Sequence, residues 1–596
     1  MYDAAGWFGS PSLKHSPNAV LSAMLSAQET QVREDFALAC GPCGQMGVFN
    51  SVYVLLCGDP VWQDASLAQE ANRVGDAGLL AKLWSTYGIA ALDQIGGSFA
   101  LALYERDRRE GMLAIDRMGL CTMAYAEVPN GLVFGPDLNV LRRHPAISGE
   151  LDPQALFAYL YFHVVPAPLS IYRKVRKLLP GQYLHWRSGV IRQGFYWQPE
   201  FSDDTRSETE LAQELRQALR QAVSCCLKDP QTTGAFLSGG LDSSTVVGLL
   251  KDLAPDSAAA FSIGFAAQGY DEMEYARASA RHFGIPLHEY YLTPEDVVKA
   301  VSKIAAFYDE PFGNASAVPA YYCAKLAREH GKTHLLAGDG GDELFAGNAR
   351  YARQKLLAFY EQVPAWLRAL AIEPLIKAGG SLPGLSKLKS YVEQAKVPLP
   401  ERLETYNFLH RTPLAEIFEA DFLASIQADW PIQHLREIYQ RPTASMLKKM
   451  LWLDRKITLA DNDLRKVNRT CALAGVKVRY PMLQEPVVAL AAKIPDRLLM
   501  RGLELRSFYR HALKDFLAPE TLTKSKHGFG LPFGVWLKSH PELQQLAYAS
   551  LEHPALSGII RKEYIKTLKA HLSEHESYYG VMIYVLMMWA EWTRCH

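Results

Sequence analysis

Two short glycine-rich runs hold the residues best suited to chemistry. Ser238-Gly239-Gly240-Leu241-Asp242-Ser243-Ser244 follows an apolar run at 234–237 and leads into a helical pattern at 243–253. Its glycines permit a tight turn and close approach of backbone to a ligand. The helix start adds unpaired N–H groups and the positive end of a dipole, and three serines add hydroxyls. This assembly suits phosphate. No Lys-Ser/Thr pair follows the glycines, so the run is not a Walker A loop. Asp242 would repel phosphate unless a cation lay between them, and magnesium on the phosphate oxygens would remove the conflict. The second run, Gly338-Asp339-Gly340-Gly341-Asp342-Glu343, follows an apolar stretch at 333–337. In a parallel sheet, ligands collect at the carboxyl ends of strands, so Asp242 and Asp342 are expected to meet across one crevice as metal ligands.

The elements needed to position these runs are legible in the pattern. Residues 234–237, 258–265, 287–292 and 333–337 read as strands, and 243–253, 272–283 and 318–330 as helices between them. Such alternation implies a parallel sheet covered on both faces. From about residue 351 onward the pattern is mainly helical, and the apolar stretch 578–592 is short for a membrane span and reads as a buried helix. Before residue 200 the chain differs: strands are expected at 52–57, 98–104, 112–115 and 132–135, with helices at 65–87 and 153–162. That mixture implies a sheet-rich α+β unit. The polar stretch 199–208 is the expected linker, which gives units at 1–200 and 206–596.

Composition narrows the partners. The chain has 596 residues, more than one core usually holds, and its 63 basic residues balance 63 acidic ones. No net charge favours nucleic acid or an anionic membrane. The start shows no basic segment followed by an apolar one, and nine scattered cysteines suit a reducing cytoplasm. The lone Cys40–Cys43 pair is expected to be structural.

The sequence SGGLDSS resembles the pyrophosphate loop of the asparagine synthetase family, whose members form adenylates. The resemblance covers most of the chain. It implies a doubly wound ATP-pyrophosphatase domain with a helical C-terminal part, preceded by an amidotransferase-like (Ntn-type) sandwich. ATP and Mg2+ are the implied cofactors. Ser238, Gly239, Gly240, Asp242, Ser243, Ser244, Gly338 and Gly340 are implied to hold the nucleotide, with Ser262, Ile263 and Gly264 at adenine. Asp339 and Lys526 are the implied catalytic residues; Lys526 lies in a Lys526-His527-Gly528-Phe529-Gly530-Leu531-Pro532 loop similar to the family's lysine loop. A single oxyanion donor of this kind is worth about a hundredfold to a thousandfold in rate. Asn314 and Ala315 stand where many members have Asp and Ser. Asn468, Lys477 and Gln484 replace acidic residues, so a less acidic local pocket is expected.

The first half resembles a glutamine amidotransferase at 96–104 and 116–119. That family begins its mature chain with a cysteine nucleophile. Here the matching start is Ala5-Gly6-Trp7-Phe8-Gly9, placed on what is expected to be an edge strand, and alanine cannot attack an amide. Cys57-Gly58-Asp59 stands for the family's Asn-Gly-Glu stretch, and Asp76 for an acid that holds the substrate amino group. Glutamine hydrolysis is therefore expected to be lost, unless processing exposed Cys40 or Cys43. Three readings stay open. One is a ligase joining a carboxylate (by default aspartate) to ammonia or an amine. Another is a β-lactam- or lasso-peptide-type cyclase using an amine within its own substrate, a peptide among the options. The last is a non-catalytic ATP-binding regulator. A homodimer is compatible with each.

Overall fold

In a computed structural model, residues 4–11, 15–267, 269–368, 370, 383–524 and 530–596 are described. The first half is built on two six-stranded sheets. One contains β1 (Ala4–Gly9), β2 (Glu29–Val32), β3 (Phe36–Cys40), β8 (Ala124–Val128), β9 (Gly131–Gly135) and β10 (Val175–Lys177). The other contains β4 (Gly44–Phe49), β5 (Val52–Trp62), β6 (Ile95–Glu105), β7 (Glu110–Ile115), β11 (Gln182–Arg187) and β12 (Val190–Phe195). Their orders are 10-8-9-1-3-2 and 12-11-7-6-5-4, with antiparallel pairing throughout. Alternate side chains pack between the sheets, among them Phe8, Phe36, Leu55, Leu113 and Phe134. Opposite faces, such as that of Val54, Leu101 and Leu103, take up helix side chains including Leu79 and Leu80. The result is the expected α+β sandwich, with helices outside a pair of sheets.

Two local expectations are corrected. Ala4–Gly9 is an inner strand, paired with β3 on one side and β9 on the other. The helical stretch 65–87 divides into Ala65–Val74 and Asp76–Tyr87, because Gly75 sits between them at φ +80°.

Helix Glu208–Cys226 opens the second half. Ser207 and Glu210 form a capping box at its start, and Leu211, Leu215, Ala218, Leu219, Ala222 and Val223 make its buried stripe. Then come β13 (Thr233–Phe236), β14 (Ala260–Phe265), β15 (Leu287–Leu292), β16 (His334–Leu336) and β17 (Lys477–Arg479), all parallel, in the order 15-14-13-16-17. The chain fills one side of β13 first and then returns to its other side with β16. The switch in direction therefore falls between β13 and β16, where a doubly wound sheet opens its binding crevice. Thr233↔His334 register brings the ends of both strands level, so the two glycine-rich runs leave the sheet side by side.

The expected late helix spans Glu576–Cys595 and is buried from Met582 to Ala590. No helix among the described residues is long and apolar enough to cross a membrane. The halves share a buried ionic network. Asp309 accepts from Arg465, from Arg469 at 2.6 Å and from the Leu138 N–H at 3.0 Å. Arg469 also pairs with Asp137 at 2.7 Å, and Lys177 with Glu310 at 2.6 Å. Burial alone would raise the Asp309 pKa, but the two guanidiniums hold it well below the usual carboxylate range.

Candidate active site

The first turn joins β13 to helix Leu241–Leu253. Gly239 lies at φ +69°, and a side chain there would collide with the Tyr275 backbone. Ser238 N–H donates to Ser243 Oγ at 3.2 Å, and the two serine hydroxyls lie 3.1 Å apart, which closes the turn over the helix start. Asp242 falls in that helix's first turn.

The second turn follows β16. Gly340 adopts φ +100°, with Leu483 packed where a side chain would stand. A Cβ on Gly338 would lie 2.7 Å from Ser243 N, and one on Gly341 would lie 2.7 Å from Asp242 Oδ2 and nearer still to Oδ1. The two turns are thus in direct contact, and glycine is what permits it.

A cavity of about 570 Å³ opens over this junction. Of the expected site residues, Ser238, Gly240, Asp242, Ser243, Ser262, Ile263, Gly338, Asp339 and Asp342 line it. Four other expected nucleotide-binding residues do not line it. Gly239 and Gly340 shape their turns without lining the cavity. Ser244 is fully buried, and its hydroxyl lies 2.9 Å from that of Ser279. Gly264 faces the Tyr291 ring instead. Lys526 lies outside the described residues.

The electrostatics of the cavity involve residues absent from that reading. Arg506 reaches between the turns, donating to Asp242 Oδ1 at 2.6 Å and to Asp342 Oδ1 at 2.5 Å. The carboxylate pair offers the hard oxygen donors that suit magnesium, but here they face a guanidinium. Asp242 and Asp342, the expected metal ligands, are thus brought together, and both pair with this guanidinium. Lys466 lines the cavity and lies 2.7 Å from Asp463. Burial opposes its charge, yet Asp463 and Asp339 raise its pKa. Lys524 donates to Ser238 O and to Glu272, each at 3.0 Å. Asp339 is pushed up to about 6, chiefly by burial, with Lys466 opposing. A carboxylate poised there can exchange a proton near neutral pH.

Asn314 also lines the cavity, held by Asn462 at 2.8 Å. The three acid-to-neutral or acid-to-basic positions lie elsewhere. Asn468 and Lys477 line a second cavity of about 300 Å³ between the halves, and Gln484 a smaller adjoining one. The expected loss of negative charge therefore falls at the interface and not at the crevice. Helix Leu464–Leu473 separates the two cavities: Lys466 and Val467 face one, Arg465 and Asn468 the other. A nine-residue π-helical stretch, Arg455–Asp463, precedes it and turns Asp463 toward the crevice.

The residues matched to glutamine binding are engaged within the chain. Asp59 pairs with Arg479 at 3.1 Å, and Asp76 accepts from Trp62 Nε1 at 2.8 Å. Helix Asp76–Tyr87 presses its first turn onto Gly47 of β4. Ala5 is completely buried and lines neither the 570 Å³ crevice nor the 300 Å³ interface cavity. Burial pushes the Cys40 thiol up to about 11, which disfavours a thiolate there.

Comparison with known proteins gives two family matches. The asparagine synthase model matches residues 214–594, and the glutamine amidotransferase domain model matches residues 64–197. Asparagine synthetase [glutamine-hydrolyzing] 1 of Bacillus subtilis is 26% identical over 83% of this chain and 77% of its own length. Putative asparagine synthetase [glutamine-hydrolyzing] 2 of Methanocaldococcus jannaschii is 29% identical over 68% of this chain and 78% of its own. Amidase chyE of Penicillium rubens is 24% identical over 83% and 80%.

Proposed function

From the premise that this chain belongs to the asparagine synthase family and is an ATP-dependent carbon–nitrogen ligase, we propose that it activates a carboxylate as an acyl adenylate in the crevice between β13 and β16. The observation that carries this reading is the direct contact of the two glycine-rich turns, with Asp242, Asp339 and Asp342 opening on one cavity.

In this reading a substrate carboxylate oxygen attacks the α-phosphorus of ATP and pyrophosphate leaves. An amine nitrogen then attacks the acyl carbon, AMP leaves with the C–O bonding pair, and Asp339 takes the surplus proton. The Ser238–Ser243 turn and the helix start behind it bind phosphate oxygens. Ser262 and Ile263 bound the base. Lys466 and Lys524, which both line the cavity, offset negative charge. Magnesium held at Asp242 and Asp342 would supply charge neutralisation on the phosphates. We place the division between the halves at 200–206, so that the whole reaction lies in the second. Aspartate and ammonia are the default substrates, tested by mixing enzyme, ATP, magnesium, aspartate and ammonium. Asparagine and AMP support the default; a carboxylate-independent ATPase, or ADP as product, counts against the chemistry itself.

A second reading changes the acceptor. Ala5 in place of a nucleophile, with Asp59 and Asp76 engaged in the chain's own contacts, favours an amine that does not come from glutamine. An amine within the substrate, as in ring-closing relatives, fits this. Pyrophosphate release with an amine-bearing carboxylate but not with aspartate would favour that reading.

A further inference from the structure

The cation at the paired carboxylates belongs to the chain itself. Arg506 Nη1 donates to Asp242 Oδ1 at 2.6 Å, Nη2 to Asp242 Oδ2 and Asp342 Oδ1 at 2.5 Å each, and Nε to Asp342 Oδ1 at 3.2 Å. The side chain is only 4% exposed. Its backbone stands at φ +60°, an uncommon conformation for a long side chain. Gly347 leaves the space: a Cβ there would overlap both Asp342 Oδ1 and Arg506 Nε. The arginine is therefore built in between the two carboxylates that would hold a metal.

We propose that Arg506 is a resident, displaceable cation. It holds Asp242 and Asp342 together before nucleotide arrives, and it yields their oxygens to a divalent cation only when that cation enters with a polyphosphate. The inference rests on the adenylating reading, which supplies both.

The argument is one of charge. A bare divalent cation would have to shed water and evict a buried guanidinium, leaving that guanidinium without an anion. Stranding a buried charge is strongly unfavourable. A metal–polyphosphate complex brings excess negative charge with it. Guanidinium forks onto phosphate as well as onto carboxylate, so the displaced Arg506 gains a new partner. Metal and nucleotide binding then become linked: each strengthens the other by the same factor. Lysine cannot replace arginine here, because an ammonium does not span two carboxylates with planar paired donors.

The test is direct binding of Mn2+, as a spectroscopically visible substitute for Mg2+, to full-length wild type, Arg506→Met and Arg506→Lys. Each is titrated with and without a non-hydrolysable ATP analogue, and electron paramagnetic resonance reads free against bound Mn2+. Wild type is expected to bind Mn2+ weakly alone and strongly with the analogue. Arg506→Met is expected to bind Mn2+ alone at least about tenfold more tightly than wild type, because no resident cation reduces the competent fraction. Its gain on adding the analogue shrinks accordingly, and Arg506→Lys falls between. Equal affinity for Mn2+ alone in wild type and in a folded Arg506→Met overturns the inference. If Arg506→Met does not fold, Arg506→Lys decides: wild-type affinity and wild-type coupling overturn it. Failure of wild type to bind Mn2+ even with the analogue overturns the adenylating reading itself, and this inference with it.

Discussion

Replacing Gly341 by alanine separates the chemistry of the crevice from its folding. Gly341 opens the short helix Gly341–Phe345 and is absent from the positive-φ glycines, so alanine fits the backbone. In a helix alanine is favoured over glycine by about 1 kcal/mol, which offsets part of the cost of moving Asp242 off Arg506, so the melt should fall only modestly while Asp342 keeps its pair with Arg506. The new methyl, however, lands 2.7 Å from Asp242 Oδ2 and closer to Oδ1. The carboxyl tip can move, and here it must withdraw by about 1.5 Å to reach an ordinary van der Waals distance. That withdrawal pulls Asp242 off Arg506 and off the position that faces phosphate. Misplacement by ~1 Å costs about a hundredfold in rate, or about 2.7 kcal/mol of transition-state stabilisation. The assay is kcat/KM for pyrophosphate release beside a thermal melt, with Gly149→Ala as control, since that glycine has only the Arg142 side chain at 4.0 Å. Undiminished turnover by Gly341→Ala would refute the contact between the turns; lost turnover with a collapsed melt would refute the claim that only the carboxylate moves.

Other perturbations have equally definite outcomes. Asp309→Asn removes the shared partner of Arg465 and Arg469; each keeps a second carboxylate, so the loss of stability should sit near the low end for a broken buried pair, about 3 kcal/mol in denaturant unfolding. Because the Asp309 pKa is depressed, its contribution is full above the ordinary carboxylate pKa and lost as pH falls through its folded value, so the variant should show a weaker acid limb of unfolding. Asp339, pushed up to about 6, must be charged to accept a proton, so amide formation should fall about tenfold per unit below pH 6, and Asp339→Asn should abolish that limb along with most of the rate. A chain shortened to begin at residue 5 with Ala5→Cys should show no glutaminase activity, since Asp59 and Asp76 remain bound to Arg479 and Trp62; glutamate release would show that the site is still open.

Much of this was legible in the sequence because it is local. Strand, glycine turn and helix lie within about twenty residues at each of the two runs, and the alternation of elements requires their strands to be parallel. The direct contact between Gly341 and Asp242 follows from the switch point between β13 and β16, which strand alternation suggests without giving the order. Arg506 was not legible: its partners lie 264 and 164 residues away, and a lone arginine has no spacing signal. Lys466 and Asp463 carry no spacing signal of their own, and the π-helical stretch that ends at Asp463 decides which face meets the crevice. For the same reason Asn468 faces the interface and not the nucleotide side. The inner position of β1 was missed because its partner β3, Phe36–Cys40, is a short all-apolar run that periodicity alone does not mark as a strand.

The most direct test of the central claim is product analysis across a panel of carboxylates, aspartate included, with wild type and Asp242→Asn side by side. AMP and pyrophosphate in equal amounts from at least one carboxylate, and their loss in the variant, are the expected result. ADP and phosphate as products, or equal pyrophosphate release by Asp242→Asn, would contradict it.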